Sequence, residues 1–384
     1  MLQNIIFPFY LLVLTAAQLM QEPWPFDVTT ISAPDGSVTA KFVSIGATMV
    51  ELWVRDKHGE SLDVIAGYDD SSKLWTDPSH PVFNPIVGRY ANRIKNGTFS
   101  IPITRDPPAN GSNVYHIPTN DHNGQDTLHG GIYGWDRRNW TIVAKSPTSV
   151  TYYHLDPADE GFPGNVSIFA THSVTSGELK TKVFAIATQK TPIMVTQHIY
   201  WNLDAFRTDS TNVSNWSNSR IFNHTLHLDA SRYIETDSNG VPTGPVSAVI
   251  GTPLDFRTAQ QIGARWSELE GVCGPGCQGY DNCWIYDGNE TVKAGTTLWS
   301  DLSGIRLDIF TNQPAVQVYT SNYFGLPRKV VHGGPSLVYA PQSAVAIEQE
   351  GWIDAINNPE WDIDQIYGPG KDFFWETTYK FSLI

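Results

Sequence analysis

The sequence predicts an all-β chain folded as one large antiparallel domain, a sandwich or a barrel. Three observations carry that expectation. Short apolar runs alternate with polar residues at period two, as half-buried strands do. Clusters of Gly, Pro, Asn and Asp separate the runs, and amphipathic helical periodicity is almost absent. No internal repeat, low-complexity tract or extended linker divides the chain, so a single domain is favoured over two.

The predicted strands follow in order. "SVTAKFV" opens after the turn-forming "APDGS". "NVSIFATHSV" and "LKTKVFAIAT" alternate cleanly and lie close enough to pair as a hairpin. "MVTQHIYWNL" would place Val195, Gln197, Ile199 and Trp201 on one face, with Thr196, His198, Tyr200 and Asn202 on the other. "AVQVYTSNYF" and "SLVYAPQSAVAIEQ" complete the set, with "DPPANGSN", "DSNGVPTGP" and "NNPEW" as connecting turns. The polar stretch "TNVSNWSNSR" (211–220) reads as an exposed, inserted loop.

Composition narrows the function. With 41% hydrophobic and 17% charged residues the chain is globular and can bury a sizeable core. A net charge of −14 and no Lys/Arg-rich run exclude a nucleic-acid or anionic-membrane partner, each of which needs a basic patch. Small neutral or cationic ligands fit better. The apolar stretch Ile5 to Ala17 is too short to span a bilayer comfortably and precedes small, then polar residues. Residues 1–20 are therefore expected to be a secretory signal peptide, with the domain at 21–384. An anchoring amphipathic segment is the alternative, because the basic start of a signal peptide is missing.

Eight N-x-S/T sequons, at Asn96, Asn110, Asn139, Asn165, Asn212, Asn215, Asn223 and Asn289, point the same way, to a secreted glycoprotein. "CGPGC" could close a small disulfide loop from Cys273 to Cys277, leaving Cys283 free and buried. No fourth zinc ligand stands near these cysteines, so a metal site is not expected.

Several segments could carry chemistry. In "VAIEQEGW" the glutamates Glu348 and Glu350 lie two residues apart, hence on one strand face. Either the segment is an edge strand with a solvated polar side, or two carboxylates aim into a cleft. The His198, Tyr200 and Asn202 face suits a cleft lining that meets a polyhydroxylated ligand, or a solvated strand side. His129 stands before two glycines in "TLHGGIYGW", where the backbone can bend sharply. Arg89, Asn92 and Arg93 share a turn in "PIVGRYANRIKNGTFSI" and could hold a hydroxyl, neutralise a carboxylate or face solvent. Asp281 in "GYDNCWIYD" could be a turn residue or accept bonds from two hydroxyls. No P-loop, nucleophile elbow, dinucleotide fingerprint or HExxH stands on a suitable element, which leaves acid/base chemistry on side chains.

Together "GRYANRIKNGTF", "TLHGGIYGWDRRNW", "QHIYWNL", "HLDASRYIETDSNGVPTGPVSAVIGTPLDFR", "GYDNCWIY", "AVQVYTSNYF" and "AIEQEGWIDAINNPEW" resemble the aldose 1-epimerases, or galactose mutarotases, in order and spacing. The resemblance covers essentially the whole chain after the leader. It implies a galactose mutarotase-like β-supersandwich and interconversion of the α and β anomers of free aldoses without a cofactor. It implies Glu348 as general base and His198 as general acid. His129, Asp281, Arg93, Asn92 and Gln317 would be substrate contacts. The expected partner is a monosaccharide such as galactose or glucose, with no stable membrane association, and the chain a monomer or weak dimer. A neighbouring carboxylate, Asp281 or Glu348, would hold the His198 imidazolium up near neutral pH.

This sequence departs from the family in having Glu350 where a Gln or Asn is common, and "IYWNL" after His198. The alternatives are a non-catalytic carbohydrate-binding protein on the same scaffold, and a glycoside-processing enzyme using Glu348 with Asp281. A hexose-6-phosphate epimerase is disfavoured by the acidic charge balance.

Overall fold

The computed structural model of the chain describes residues 23–108, 110–207, 219–288 and 293–384. The proposed leader, the sequons Asn212, Asn215 and Asn289, and residues 211–218 of the polar loop lie outside the described residues. The period-two segments do form strands. Val166–Thr175 and Glu178–Ala187 pair over their full lengths, and Glu178–Ala187 alternates regularly between buried and outward positions.

They sit in a nine-stranded antiparallel sheet. Its order is Thr141–Ser146, Ser149–Asp156, Val166–Thr175, Glu178–Ala187, Phe373–Leu383, Ile305–Thr311, Lys293–Trp299, Thr225–Leu228 and Gln260–Gln261. A six-stranded sheet lies over it, in the order Tyr200–Trp201, Val345–Glu350, Ala315–Tyr319, Asp281–Ile285, Arg232–Thr236 and Pro242–Ala248. A four-stranded sheet spans Thr29 to Asp63.

One apolar core joins the layers. It takes Val183, Leu307, Ile309 and Tyr379 from the large sheet and Trp201, Trp284, Val316, Val318, Val345 and Ile347 from the smaller one. Each such side chain, fully buried, contributes about 1.5–3 kcal/mol of transfer free energy. The Trp375 indole N–H donates to the Gln349 carbonyl at 2.8 Å and pins the layers together. The large antiparallel sandwich is as expected.

Two local expectations change. The strand Val345–Glu350 is not an edge: it pairs with Tyr200–Trp201 on one side and Ala315–Tyr319 on the other, and all six residues are buried. The solvated-edge reading is therefore wrong. Nor is 194–203 one strand. Thr196–Gln197 pairs with Ile86–Val87, whereas Tyr200–Trp201 pairs with Val345–Ala346. The chain changes partner between them, because the His198 N–H bonds the Pro85 carbonyl and the Asn84 side chain accepts from the Tyr200 N–H. Period-two alternation survives the break, but the ladder does not.

The Cys273–Cys277 disulfide forms, and Cys283 is free and buried. The five sequon asparagines among the described residues, Asn96, Asn110, Asn139, Asn165 and Asn223, are all exposed.

Candidate active site

Cross-strand register assembles the floor of the site. Directly opposed residues share a sheet face. Gln317 faces both Cys283 and Glu348, and Tyr319 faces both Asp281 and Ala346, which in turn faces Tyr200. Asp281, Gln317, Tyr319, Glu348 and Tyr200 therefore rise from one face of the six-stranded sheet. Val316, Val318, Val345 and Ile347 point the other way, into the core. The alternation that builds the sandwich also lifts the polar side chains out of it.

Two loops bring the rest. Arg93–Ile94 pairs with Thr127–Leu128, so the "YANRI" and "TLHGG" segments are stitched together. The His129 N–H donates to the Asn92 carbonyl at 3.0 Å, and the Asn92 N–H returns a bond to His129 Nδ1 at 3.2 Å. That return bond makes Nδ1 an acceptor and puts the proton of neutral His129 on Nε2. Burial, with His198 and Arg93 adding to it, holds the His129 pKa well below the ordinary imidazole value, so the neutral form prevails. Gly130 is required here: its φ is +87°, and a Cβ would lie 2.1 Å from the Gly88 carbonyl oxygen.

These elements enclose a cavity of about 540 Å³, within the usual range for a small ligand. All seven residues singled out as site candidates line it: Asn92, Arg93, His129, His198, Asp281, Gln317 and Glu348. Glu350 does not. It is fully buried behind Asn92 and accepts from its Nδ2 at 2.9 Å. Arg89 is not at the cavity either. It is 1% exposed and neutralises Asp156 at 2.6 Å, so the surface reading of that arginine is wrong.

Pattern reading missed Asp121, His122, His80, Tyr319, Tyr323 and Phe324, which also line the cavity. Tyr319 had a signal, standing two residues from Gln317. Asp121 and His122 sit in the polar turn "TNDHNG" and His80 in "DPSHP", where nothing distinguishes a site residue from a solvated one.

The polar groups form two bonded sets. In the first, His198 Nε2 lies 3.3 Å from Glu348 Oε1, and the His129 and His198 rings meet edge to face at 5.3 Å. Glu348 Oε2 has no hydrogen-bond partner among the described residues. In the second, Arg93 Nε bonds Asp121 at 2.9 Å, and Gln317, opposite Glu348 in register, donates from Nε2 to Asp281 at 2.6 Å. Burial opposes the Arg93 charge, but Asp281 and Asp121 outweigh it and keep the guanidinium protonated. Burial lifts the Asp281 carboxyl, with Arg93 pulling it back.

The titration of the Glu348–His198 pair departs from expectation. Burial pushes the His198 imidazole down to about 4, so the neighbouring carboxylate does not hold it up. Burial also pushes the Glu348 carboxyl well above its ordinary value, and Glu350 adds to the push. The buried pair therefore holds one proton between the lowered His198 value and the raised Glu348 one. A one-proton pair contains one acid and one base, whichever partner holds the proton. Among the described residues no three His, Cys, Asp or Glu side chains are grouped to hold a metal ion.

Glu350 makes a pH prediction. Burial raises its own carboxyl to about 8, so its charge develops only near and above that pH. There it opposes ionisation of Glu348. Glu350→Gln removes the charge, lowers the Glu348 pKa, and should move the alkaline limb of kcat/KM to lower pH while leaving the acid limb in place. A wild-type alkaline limb in the variant would reduce Glu350 to an anchor for Asn92.

A sequence model of the aldose 1-epimerase family matches residues 27–380. A probable aldose 1-epimerase of Arthroderma benhamiae is 36% identical, covering 93% of this chain and 87% of the relative. The galactose mutarotase of Homo sapiens is 29% identical, covering 89% and 90%. Among solved structures, an aldose epimerase homologue from C. elegans superposes with a TM-score of 0.77 at 26% identity, over 93% of this chain and 99% of that one. A galactose 1-epimerase from Lactobacillus acidophilus gives a TM-score of 0.70 at 19% identity, which speaks for the fold.

Proposed function

The chain belongs to the aldose 1-epimerase family and is an isomerase, and from that premise we propose that it equilibrates the α and β anomers of free aldoses with Glu348 and His198 as its acid/base pair. The observation that carries the proposal is the buried 3.3 Å contact between these two groups in the wall of a cavity that Asn92, Arg93, Asp281 and Gln317 also line.

Mutarotation removes the proton of the C1 hydroxyl and places one on the ring oxygen. The ring opens to the aldehyde, the C1–C2 bond rotates, and the ring closes on the other face. The substrate exchanges a proton but gains and loses none, so a pair carrying a single proton suffices. The proton that rests on Glu348 first passes to His198 across their 3.3 Å contact; Glu348 then takes the C1 proton as general base and the imidazolium protonates the ring oxygen. Closure runs the same steps backwards with the roles exchanged. His129 Nε2–H is a fixed donor beside the ring oxygen, where negative charge develops on opening. Arg93, Asn92, Asp281 and Gln317 hold the remaining hydroxyls, so C1 stays in register while the chain is open.

The test is polarimetry on freshly dissolved α-D-galactose and α-D-glucose, which should approach equilibrium at a rate proportional to enzyme. Binding of the sugars without acceleration would favour the carbohydrate-binding reading. Release of reducing ends from oligosaccharides would favour the glycoside-processing one.

The same proposal makes the chain a secreted glycoprotein acting on sugars outside the cell. The apolar leader and the exposed positions of Asn96, Asn110, Asn139, Asn165 and Asn223 support it. Expressed in a eukaryotic host, it should reach the medium lacking the leader and shift in mass on deglycosylation. Retention inside the cell at full length would overturn this part.

A further inference from the structure

A third histidine stands at the site. His80 Nε2 lies 2.6 Å from Asp136 Oδ2, joining segments 56 residues apart in sequence. The Asp136 side chain is 3% exposed, whereas that of His80 is 27% exposed and lines the same cavity as His129 and His198. The dyad is built in. Asp136 belongs to the turn Trp135–Arg137 that follows the His129 loop, and Gly134 lets Asp136 and the His129 carbonyl approach so closely that a Cβ would clash with both.

Its position along the cavity follows from its neighbours. The segment that carries His80 runs on to Asn84 and Pro85, whose backbones bond the backbone of His198 at 3.0 and 3.1 Å. Its partner Asp136 and the His129 carbonyl both pack against Gly134. His80 therefore flanks the two histidines that handle the ring oxygen. In a pyranose the ring oxygen is bonded to C1 and C5. With C1 against Glu348, the group that reaches past the two histidines is the substituent on C5.

We propose that His80, oriented by Asp136, is a specificity-determining residue that hydrogen-bonds the exocyclic hydroxyl carried through C5 of a hexose. This rests on the placement of C1 at Glu348 given above. The carboxylate of Asp136 accepts, so Nε2 carries the proton and Nδ1 is the ring nitrogen left for substrate. A hydroxyl can serve neutral Nδ1 as a donor or protonated Nδ1 as an acceptor. A hydrogen or a methyl group can do neither and leaves a polar atom unmatched. Asp136 touches no substrate in this arrangement; it is a positioning residue.

The experiment measures kcat/KM by polarimetry for D-galactose and for its 6-deoxy analogue. The wild-type enzyme should prefer galactose, and His80→Ala should cut the galactose to 6-deoxy ratio about tenfold, the usual effect of losing one hydrogen bond to a group that can charge. Asp136→Ala should cut the ratio similarly. Asp136→Asn, which keeps an acceptor for Nε2–H, should restore most of it, a rescue that a purely structural role would not give. Equal kcat/KM for the two sugars in the wild-type enzyme overturns the proposal without recourse to any variant. So does a His80→Ala enzyme slowed on both sugars with its ratio unchanged. Either result leaves the epimerase reading intact, whereas a wild-type chain that accelerates no aldose overturns both.

Discussion

Glu348→Gln should lower kcat for mutarotation about 10²- to 10⁴-fold, the typical contribution of a positioned acid/base group. The substitution keeps the shape of the side chain but not its ability to exchange a proton. Glu348 is 2% exposed, and its Oε1 contacts His198 Nε2, so the amide can occupy the same place and KM should change little. The stability argument has a definite sign. Burial raises the Glu348 pKa in the folded state. Such a group stabilises the fold below its unfolded pKa, near 4.3, and that contribution is lost as pH rises through the folded value. At pH 7 glutamine carries no such penalty, so the variant should melt no lower than wild type.

His198→Asn should give a loss of the same order, and the double variant should be scarcely slower than either single one, because each single change already destroys the one-proton pair. Polarimetry on α-galactose with the three variants decides the matter. A wild-type rate from either single variant sinks the assignment, and fully additive losses would mean that the two residues act separately.

How much of this was legible in the sequence depends on what carries the information. Register across the strands of Asp281, Gln317 and Glu348 follows from alternation, since a one-residue slip would bury every carboxylate in the sandwich core. The strand faces, and the carboxylates on one of them, were therefore readable. Partner choice was not. Whether Val345–Glu350 lies at an edge depends on Tyr200–Trp201 and Ala315–Tyr319 lying on either side of it, and nothing within "VAIEQEGW" records that. The break at His198 is imposed by Asn84 and Pro85, more than 100 residues earlier. Asp121, His122 and His80 come from turns whose composition looks the same whether they face solvent or substrate. The expected protonation of His198 fails because a neighbouring carboxylate is legible in the sequence and burial is not. At full burial, loss of hydration outweighs a single neighbour that is itself mostly protonated.

Arg89 shows the same gap, and it carries the largest stability effect expected here: Arg89→Met should cost about 3–5 kcal/mol, the usual result of removing one partner from a buried ion pair. The guanidinium is held by Asp156 and two backbone carbonyls. Nε donates to Asp156 Oδ2 at 2.8 Å, Nη2 lies 2.6 Å from Oδ1, and Nη1 donates to the Pro163 and Gly164 carbonyls at 3.0 and 2.9 Å. Asp156 also accepts from the Trp135 indole at 2.7 Å, so the pair ties the strand Ser149–Asp156 to the turn beneath the His129 loop. Burial alone would lift the Asp156 carboxyl, but the bonds and charge of Arg89 outweigh it and hold it below its ordinary value. The pair therefore stabilises the fold above the unfolded pKa, near 3.9, and the contribution fades as pH falls through the lower folded value. Without Arg89 the carboxyl is left buried and unpaired, its pKa rises, and the cheapest remedy is protonation. The deficit in urea-unfolding free energy between Arg89→Met and wild type should then be largest near pH 7 and shrink towards pH 4. A deficit that does not change with pH would mean that lost packing, rather than the stranded Asp156 charge, is what the methionine exposes.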